Sequence, residues 1–210
     1  MSDDRVWQVA EPEMNRQEPK AGPKPPYVLT SMDLEFNQAP TGAKIIQIGA
    51  VVGNLITGEI LEKLSVFINP NEELLPFITQ LTKITQSDVN SGMSLEKGYR
   101  LLEALHRRHG SFVNFVQWGQ GDSRALLEQL QKENPQFTGW CGGRRELDAK
   151  TLYVAWRLAQ CSFPTGGLAK AMTKLGLKFV GQKHSAVDDA LNTFTIFRHL
   201  VGKLRNGTQT

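Results

Sequence analysis

Three β-prone runs separated by short turn sequences lie between residues 27 and 69, and they restrict the fold more than any other feature of the chain. The first, YVLTSMDLEF, begins at Tyr27, and the second, AKIIQIGAVVGNL, is apolar and β-branched enough to be a strand buried on both faces. The turn residues Asn54 and Gly58 then lead into EILEKLSVFIN, in which apolar and polar residues alternate. Because consecutive strands joined by short turns pair antiparallel, this segment predicts a three-stranded meander.

Helix and strand patterns alternate after the meander. SLEKGYRLLEALHRRHG predicts an amphipathic helix capped by Ser94, and SFVNFVQWG predicts a buried strand followed by a helix over about residues 123–132. RELDAKTLYVAWRLA predicts a short strand that enters a helix, and two more helices follow, GGLAKAMTKLGL and a last helix from near Ala186. This order predicts one α/β domain with a mixed sheet covered by helices.

The predicted domain lies between two tails. Prolines at positions 19, 23, 25 and 26 favour an extended arm over residues 1–26. The domain is expected to cover residues 27–203, with a short C-terminal tail over residues 204–210. A chain of 210 residues is long enough for one such domain with a sizeable core.

The composition and the N-terminal residues favour a cytoplasmic protein with no membrane partner. MSDDRVWQVAEPEMNRQ is polar and mixed in charge, so it lacks the apolar stretch of a secretory signal. No uninterrupted apolar run approaches the roughly 20 residues that cross a bilayer. Cys141 and Cys161 fit neither a metal-ligand spacing nor a disulfide framework, and we interpret both as reduced thiols.

Basic residues occur in two groups, although the formal net charge of +3 is too small to identify a polyanionic partner. Arg144 and Arg145 follow a pair of glycines. Four lysines come shortly before His184: Lys170, Lys174, Lys178 and Lys183. Such residues form either a solvated face or a set of phosphate contacts, and the sequence leaves both interpretations open.

Two carboxylates two residues apart are the sharpest local feature of the chain. Asp33 and Glu35 lie in SMDLEF on the first predicted strand, where side chains at i and i+2 share one face. Paired acids repel one another and are costly to desolvate unless a cation neutralises them, and Mg²⁺ or Mn²⁺ prefers such oxygen ligands. The alternative is a strand end at which both acids reach solvent.

A third acid, Asp122, lies where the strand in VQWGQGD gives way to a helix. Ligand sites gather at the carboxyl ends of strands in α/β sheets. Asp is also a good N-cap, so a purely capping role is the alternative interpretation.

His184 and Asp189 lie at the start of the last helix, in HSAVDD. Residues five apart do not share a helix face, so the two side chains can converge only if His184 lies in the loop before the helix. The alternative is an exposed loop histidine followed by acids that the helix dipole favours. We interpret Asp188 as a solvated first-turn residue, since neighbours on a helix point about 100° apart.

Together these features resemble the DnaQ-like, or DEDDh, exonucleases, which have the RNase H-like fold. That family has Asp-x-Glu on its first strand, an acid after its fourth strand, and a His with an Asp five residues later. The matching positions are Asp33, Glu35, Asp122, His184 and Asp189. The resemblance covers about residues 27–203 and includes KIIQIGAVV and LTKITQSDV. It implies a five-stranded mixed sheet, made of the antiparallel meander and two parallel strands, flanked by helices.

The most similar branch is that of the Eri-type exonucleases, which trim the 3′ ends of small RNAs, histone messages and ribosomal RNA. GGLAKAMTKLGLKFVGQKHSAVDDALN and ITQLTKITQSDV carry this likeness. Lys83 stands where the branch often has Gly in its LTGIT segment, near the terminal nucleotide, so this difference concerns substrate preference.

The resemblance implies a 3′→5′ exonuclease that hydrolyses phosphodiester bonds at the 3′ end of single-stranded nucleic acid and releases nucleoside 5′-monophosphates. Its metal ligands would be Asp33, Glu35, Asp122 and Asp189, holding two divalent cations, Mg²⁺ or Mn²⁺. His184 would take the proton from the attacking water. RNA is favoured over DNA by the Eri-type likeness alone.

Apolar side chains are expected to hold the terminal nucleotide, because stacking tolerates any base. The candidates are Met32, Leu34, Phe36, Leu81 and Ile84. Phe36 and Leu81 are favoured by position, and core packing is the alternative for each.

Other functions fit parts of the pattern. A non-catalytic relative that binds nucleic acid or protein could share the fold, but such relatives usually lose an acid or the His. RNase H-type and transposase-type endonucleases space their acids differently and generally lack the His. A proofreading partner of a polymerase would share the chemistry and differ in its protein partner.

Overall fold

A five-stranded mixed sheet runs through the part of the chain that the structure, a computed structural model, describes: residues 27–40, 42–163 and 166–207. Its strands are β1 (Val28–Ala39), β2 (Gly42–Asn54), β3 (Ile60–Phe67), β4 (Val116–Gln117) and β5 (Leu147–Asp148). The spatial order is β3-β2-β1-β4-β5, with β1, β2 and β3 antiparallel and β4 and β5 added parallel. The predicted meander and the predicted mixed sheet are confirmed.

Seven helices accompany the sheet in the described residues: α1 (Pro76–Thr82), α2 (Gln86–Asn90), α3 (Leu95–Arg108), α4 (Asp122–Glu133), α5 (Ala149–Ala159), α6 (Leu168–Lys174) and α7 (Ala186–Gly207). Ser94 caps α3 by accepting a hydrogen bond from the Lys97 backbone N–H, as its sequence predicts. None of these helices has the length and apolar character needed to cross a bilayer.

Two predicted boundaries differ from the structure. The α7 helix continues to Gly207, four residues beyond the expected domain limit at 203. The strand expected in SFVNFVQWG is reduced to Val116–Gln117, because the preceding residues bond irregularly: the Phe112 N–H donates to Val28 and the Val113 carbonyl accepts from Gly143. The predicted arm, residues 1–26, and residues 208–210 lie outside the described residues.

The two faces of β1 have different partners, because successive side chains on a strand point to opposite faces. Met32 and Leu34 join the largest core cluster, together with Tyr99 and Leu102 of α3. Leu29, on the other face, packs with Phe194 of α7. Asp33 and Glu35 are an even number of positions from Leu29 on the strand, so their side chains lie on the same face, which α7 covers.

The first turn of α7 docks directly on β2 beside those two acids. Gln47 is paired with Glu35 and Gly49 with Asp33 in the β1–β2 register. The buried Gln47 side chain accepts a hydrogen bond from the Ala186 backbone N–H at 3.0 Å. A Cβ at Gly49 would lie 2.1 Å from the Ala186 carbonyl carbon, so only glycine allows this approach. The helix start is thereby fixed against the acid-bearing part of the sheet.

Gly49→Ala is therefore expected to destabilise the protein by about 3 kcal/mol or more, at the upper end of the range for overpacked cores. The clash is with backbone atoms, which cannot rotate away as a side chain can. Gly202→Ala is the matched control, since a Cβ there meets no heavy atom within 4 Å. In the helix α7 it should stabilise by about 0.5–1 kcal/mol. Urea unfolding of both variants tests this, and equal stabilities would contradict it.

Candidate active site

Asp33 and Glu35 project from β1 toward the start of α7, as the strand alternation requires. Both side chains are partly buried. The register of β1 on β2 shifts between Glu35 and Phe36, which ends the regular alternation directly after the acid pair. The structure thus places both predicted acids on one face, in contact with the layer that covers it.

Asp122 is the first residue of α4, and the N-cap position belongs to Gly121, which offers no side-chain cap. The purely capping interpretation of Asp122 is therefore wrong. Its carboxylate instead lies close enough to Asp33 to raise the pKa of the Asp33 carboxyl. A second acid, Glu146, accepts a hydrogen bond from the Gly121 backbone N–H at 3.3 Å and acts on Asp122 from the other side.

His184 lies in the loop before α7, and from there it can reach the Asp189 side chain. Its backbone has a φ of 60°, in the left-handed region, and its N–H donates to the Asp189 carboxylate at 3.2 Å. One ligand atom each from Glu35, His184 and Asp189 lies within 4.8 Å of the others. The imidazole itself is exposed. The structure therefore brings all five predicted residues to one site.

Two residues of α7 hold the loop that leads to His184. The Asn192 amide is buried and bonds to both the N–H and the carbonyl of Val180, at 3.0 and 2.8 Å. The Asp188 carboxylate accepts from the Gln182 backbone N–H at 2.9 Å. Asp188 is thus a partly buried loop anchor, which corrects its interpretation as a solvated first-turn residue.

Burial and mutual repulsion raise the pKa values of the clustered carboxyls. The pKa of Asp33 is raised well above its usual range, first by burial and then by Asp122, Asp189 and Glu35. Burial, with Asp189 and Asp122, raises the pKa of Glu35 to about 7. Burial also raises the pKa of Asp122 and of Asp189, although the His184 N–H opposes the change at Asp189.

The metal-free protein is expected to lose stability as the pH rises from about 4.5 to about 7. The folded state holds the Glu35 proton more strongly than the unfolded state, where the ordinary pKa is 4.5, so ionisation in this interval favours unfolding. The partly exposed side chain contributes on the order of 1–2 kcal/mol, less than a full conversion of its pKa shift.

Urea unfolding in EDTA at several pH values, for wild type and Glu35→Gln, measures this contribution. The unfolding free energy of Glu35→Gln minus that of wild type should increase as the pH rises. A decrease of this difference over the same interval would contradict the expectation.

The donor set fits divalent cations. Four carboxylates converge, and none of the ion pairs among the described residues includes one of them. Such a cluster of hard oxygen donors is the ligand type that Mg²⁺ and Mn²⁺ prefer, and bound cations would offset the repulsion that raises the pKa values.

Three of the five apolar candidates for substrate contact lie in the core. Met32 has an exposed fraction of 0%, Leu34 of 6% and Ile84 of 4%. Met32 and Leu34 point to the α3 face, opposite the acids that they flank, because strand side chains alternate. Ile84 packs with Ile46, among others, in a separate cluster. Their side chains offer no surface to a nucleotide, so core packing is the interpretation that the structure supports.

The other two candidates retain accessible surface. Leu81, near the end of α1, is 45% exposed, and the adjacent Thr82 carbonyl accepts from the Gln182 side chain, which joins α1 to the His184 loop. Phe36 is partly buried against the core and lines a cavity of about 650 Å³. Lys83 has a φ of 65°, a conformation that favours glycine.

Several residues that shape the site were not singled out by the sequence. Gln47 and Gly49 position the start of α7, Asn192 holds the loop, and Glu146 adds a fifth carboxylate. The glycine within the β-branched run KIIQIGAVV was a usable signal, since an isolated glycine in a strand marks a close backbone approach. Glu146 had no such signal, because only the tertiary fold brings it to Asp122.

Comparison with known proteins identifies relatives of this chain. Residues 30–197 match the model of the RNase_T exonuclease family. The 3′-5′ exonuclease Snipper of Drosophila melanogaster is 27% identical over 221 residues, covering 87% of this chain and 72% of Snipper. ERI1 exoribonuclease 2 of Mus musculus is 29% identical over 176 residues, which span 71% of this chain but only 24% of that protein.

The fold has a counterpart among solved structures. The nuclease domain of 3′hExo, described as a DEDDh family member bound to rAMP, superposes with a TM-score of 0.69 at 17% identity. The match covers 87% of this chain and 95% of that domain. The expected RNase H-like architecture is thereby confirmed.

Proposed function

This chain belongs to the RNase_T exonuclease family and is a 3′→5′ exonuclease, and we propose that it trims single-stranded RNA with the aid of two divalent cations. One observation carries the proposal. Five residues from three separate parts of the sequence, matching the DEDDh pattern in order, meet at one place in the fold: Asp33, Glu35, Asp122, His184 and Asp189. A decayed relative has no need to keep all five.

The roles of these residues follow from their placement. Asp33, Glu35, Asp122 and Asp189 would hold the cations, which supply charge stabilisation to the attacking and leaving oxygens of phosphodiester hydrolysis. His184 is exposed, so water and substrate can reach its imidazole, and its backbone N–H fixes the loop on Asp189. The imidazole would accept the proton of the attacking water, since histidine can take up a proton close to neutral pH.

RNA is the proposed substrate, with nucleoside 5′-monophosphates as products. Mouse ERI1 exoribonuclease 2 is named for ribonuclease activity, and the solved 3′hExo domain is described with rAMP bound. Leu81 and Phe36 are the side chains we propose for contact with the terminal base or sugar, because both keep accessible surface. We also propose a cytoplasmic location. Both cysteines are free thiols, Cys141 buried and Cys161 exposed.

A time course on 5′-labelled single-stranded RNA and DNA of one sequence tests the function. Reactions with Mg²⁺, with Mn²⁺ and with EDTA are separated on a denaturing gel, beside a 3′-labelled strand. We expect a metal-dependent ladder from the 5′ label, early release of labelled mononucleotide from the 3′ label, and faster shortening of RNA. Faster shortening of DNA would overturn the substrate assignment. Binding without cleavage under every metal condition would instead favour a non-catalytic protein.

A further inference from the structure

A cavity of about 870 Å³ lies at the start of α4, where Gly121 and Ser123, the neighbours of Asp122, line it. We name it the arginine groove, after Arg124, Arg144 and Arg145 in its lining. Its lining also includes Glu146, which accepts a hydrogen bond from the Gly121 N–H. The groove therefore borders the segment that carries Asp122 of the candidate active site.

Three arginines and one glutamate are the charged residues in the lining of the groove. Arg144 and Arg145 are exposed, and neither takes part in any ion pair among the described residues. Arg124 is paired with Glu128 at 2.7 Å, so its charge is partly offset. Guanidinium groups in this state are suited to phosphate, which they can bind through two parallel hydrogen bonds.

The loop that carries the two arginines is anchored before and after the glycine pair. The Tyr99 hydroxyl donates to the Gly139 carbonyl at 2.8 Å and accepts from the Cys141 N–H at 2.7 Å. The Gly143 N–H donates to the Val113 carbonyl at 2.7 Å, and the Leu147 N–H donates to Phe115 at 2.9 Å. The arginines thus stand on backbone that is already ordered, which lowers the entropy lost on binding.

Two other cavities, one beside Phe36 and one beside His184, fit a polyanion less well. The cavity beside Phe36 has two lysines and two glutamates, so its charges balance. The cavity beside His184 contains Lys170 and Lys183 but has a volume of only about 270 Å³. An exonuclease must guide the remainder of the strand across its surface, and of these three cavities the arginine groove has the largest volume and the only arginines in its lining.

We propose that the arginine groove binds the phosphodiester backbone of the single strand on the 5′ side of the scissile bond, with Arg144 and Arg145 as phosphate contacts. This inference rests on the proposed function. It assigns the two arginines, whose role the sequence left open, to a strand-binding surface separate from the carboxylate cluster. The contact is with phosphate, so it carries no base preference.

Hydrolysis of a 12-nucleotide oligo(U) and of the dinucleotide UpU, compared as a ratio of kcat/KM values, tests this surface. UpU has no phosphate beyond the scissile one, so only the longer strand can use the groove. Arg144→Ala/Arg145→Ala should lower the ratio about tenfold, as the loss of phosphate contacts predicts. Lys63→Ala/Arg107→Ala removes two charges, one on β3 and one on α3, from residues that do not line the groove, and should leave the ratio unchanged.

Binding of the same 12-mer in Ca²⁺, measured by fluorescence anisotropy over a salt series, gives a second readout that needs no turnover. Loss of two phosphate contacts should reduce the salt slope by about 1.4, at roughly 0.7 per contact for single strands.

The outcomes separate the two proposals. An active wild type with an unchanged ratio and salt slope in the arginine variant would overturn the groove assignment alone. A fall of the ratio in Lys170→Ala/Lys183→Ala instead would place the strand in the cavity beside His184. A wild type that cleaves neither substrate would contradict the proposed function, and the salt slope would still decide the groove.

Discussion

Asp33→Asn is expected to lower kcat/KM for the RNA strand by about 10³-fold or more, the range in which loss of one electrostatic contributor to a transition state falls. Asp33 faces the three other carboxylates of the cluster, so its loss removes the shared member of the donor set. Single-turnover cleavage at saturating Mg²⁺ measures the effect. Glu73→Gln, which neutralises an exposed acid outside the cluster, is the control and should retain full activity.

The same substitution should stabilise the protein when no metal is present. The Asp33 carboxyl is crowded by like charges, and an uncharged amide of the same shape relieves the repulsion. In EDTA the Tm of Asp33→Asn should exceed that of wild type by roughly 2–6 °C, whereas Mg²⁺ should raise the Tm of wild type far more than that of the variant. A variant that melts below wild type in EDTA would show that Asp33 is a structural residue and would contradict the metal assignment.

His184→Ala is expected to lower kcat by about 10²–10⁴-fold, the contribution of a positioned general base. The side chain is exposed, so its removal leaves no cavity in the core. Its backbone, however, has a φ of 60°, a region in which histidine occurs more readily than alanine, so alanine adds backbone strain. A fall in activity of the alanine variant could therefore come from loss of the imidazole or from backbone strain.

His184→Asn separates the chemistry from the backbone strain, because asparagine tolerates the left-handed conformation. Both variants should lose activity to the same extent, and only the alanine variant should lose stability in urea unfolding. The activity that remains should also lose the limb of the pH–rate profile that a general base produces. Substantial activity in His184→Asn would exclude the imidazole as the base.

Each of the pairs Asp33–Glu35 and His184–Asp189 has a local spacing that the sequence could interpret, whereas Asp122 was joined to them only through the family resemblance. Asp33 and Glu35 share a strand face at any register, and His184 can meet Asp189 only from a loop, which is where it lies. What the sequence could not show is how α7 reaches β1. That contact depends on Gly49 and Gln47. Gln47 and Ala186 are 139 residues apart along the chain, so no local pattern could indicate that they meet.

The substrate contacts were the weakest part of the sequence interpretation. Met32 and Leu34 flank the acids in sequence, yet the alternation that brings Asp33 and Glu35 together turns their neighbours toward α3. Ile84 lies close to the exposed Leu81 in sequence and is buried all the same. Nearness along a strand or a short loop therefore predicts the wrong side of the sheet as readily as the right one.

The division of the site between β1 and α7 has a consequence for biosynthesis. A growing chain presents Asp33 early, but it lacks His184 and Asp189 until nearly the whole domain has been translated. Domains form cooperatively as they leave the ribosome, so the first turn of α7 can reach Gly49 only after its own residues have emerged. On the proposed mechanism a nascent chain is thus unable to cleave nucleic acid during translation, and competence to cleave arrives together with the completed fold.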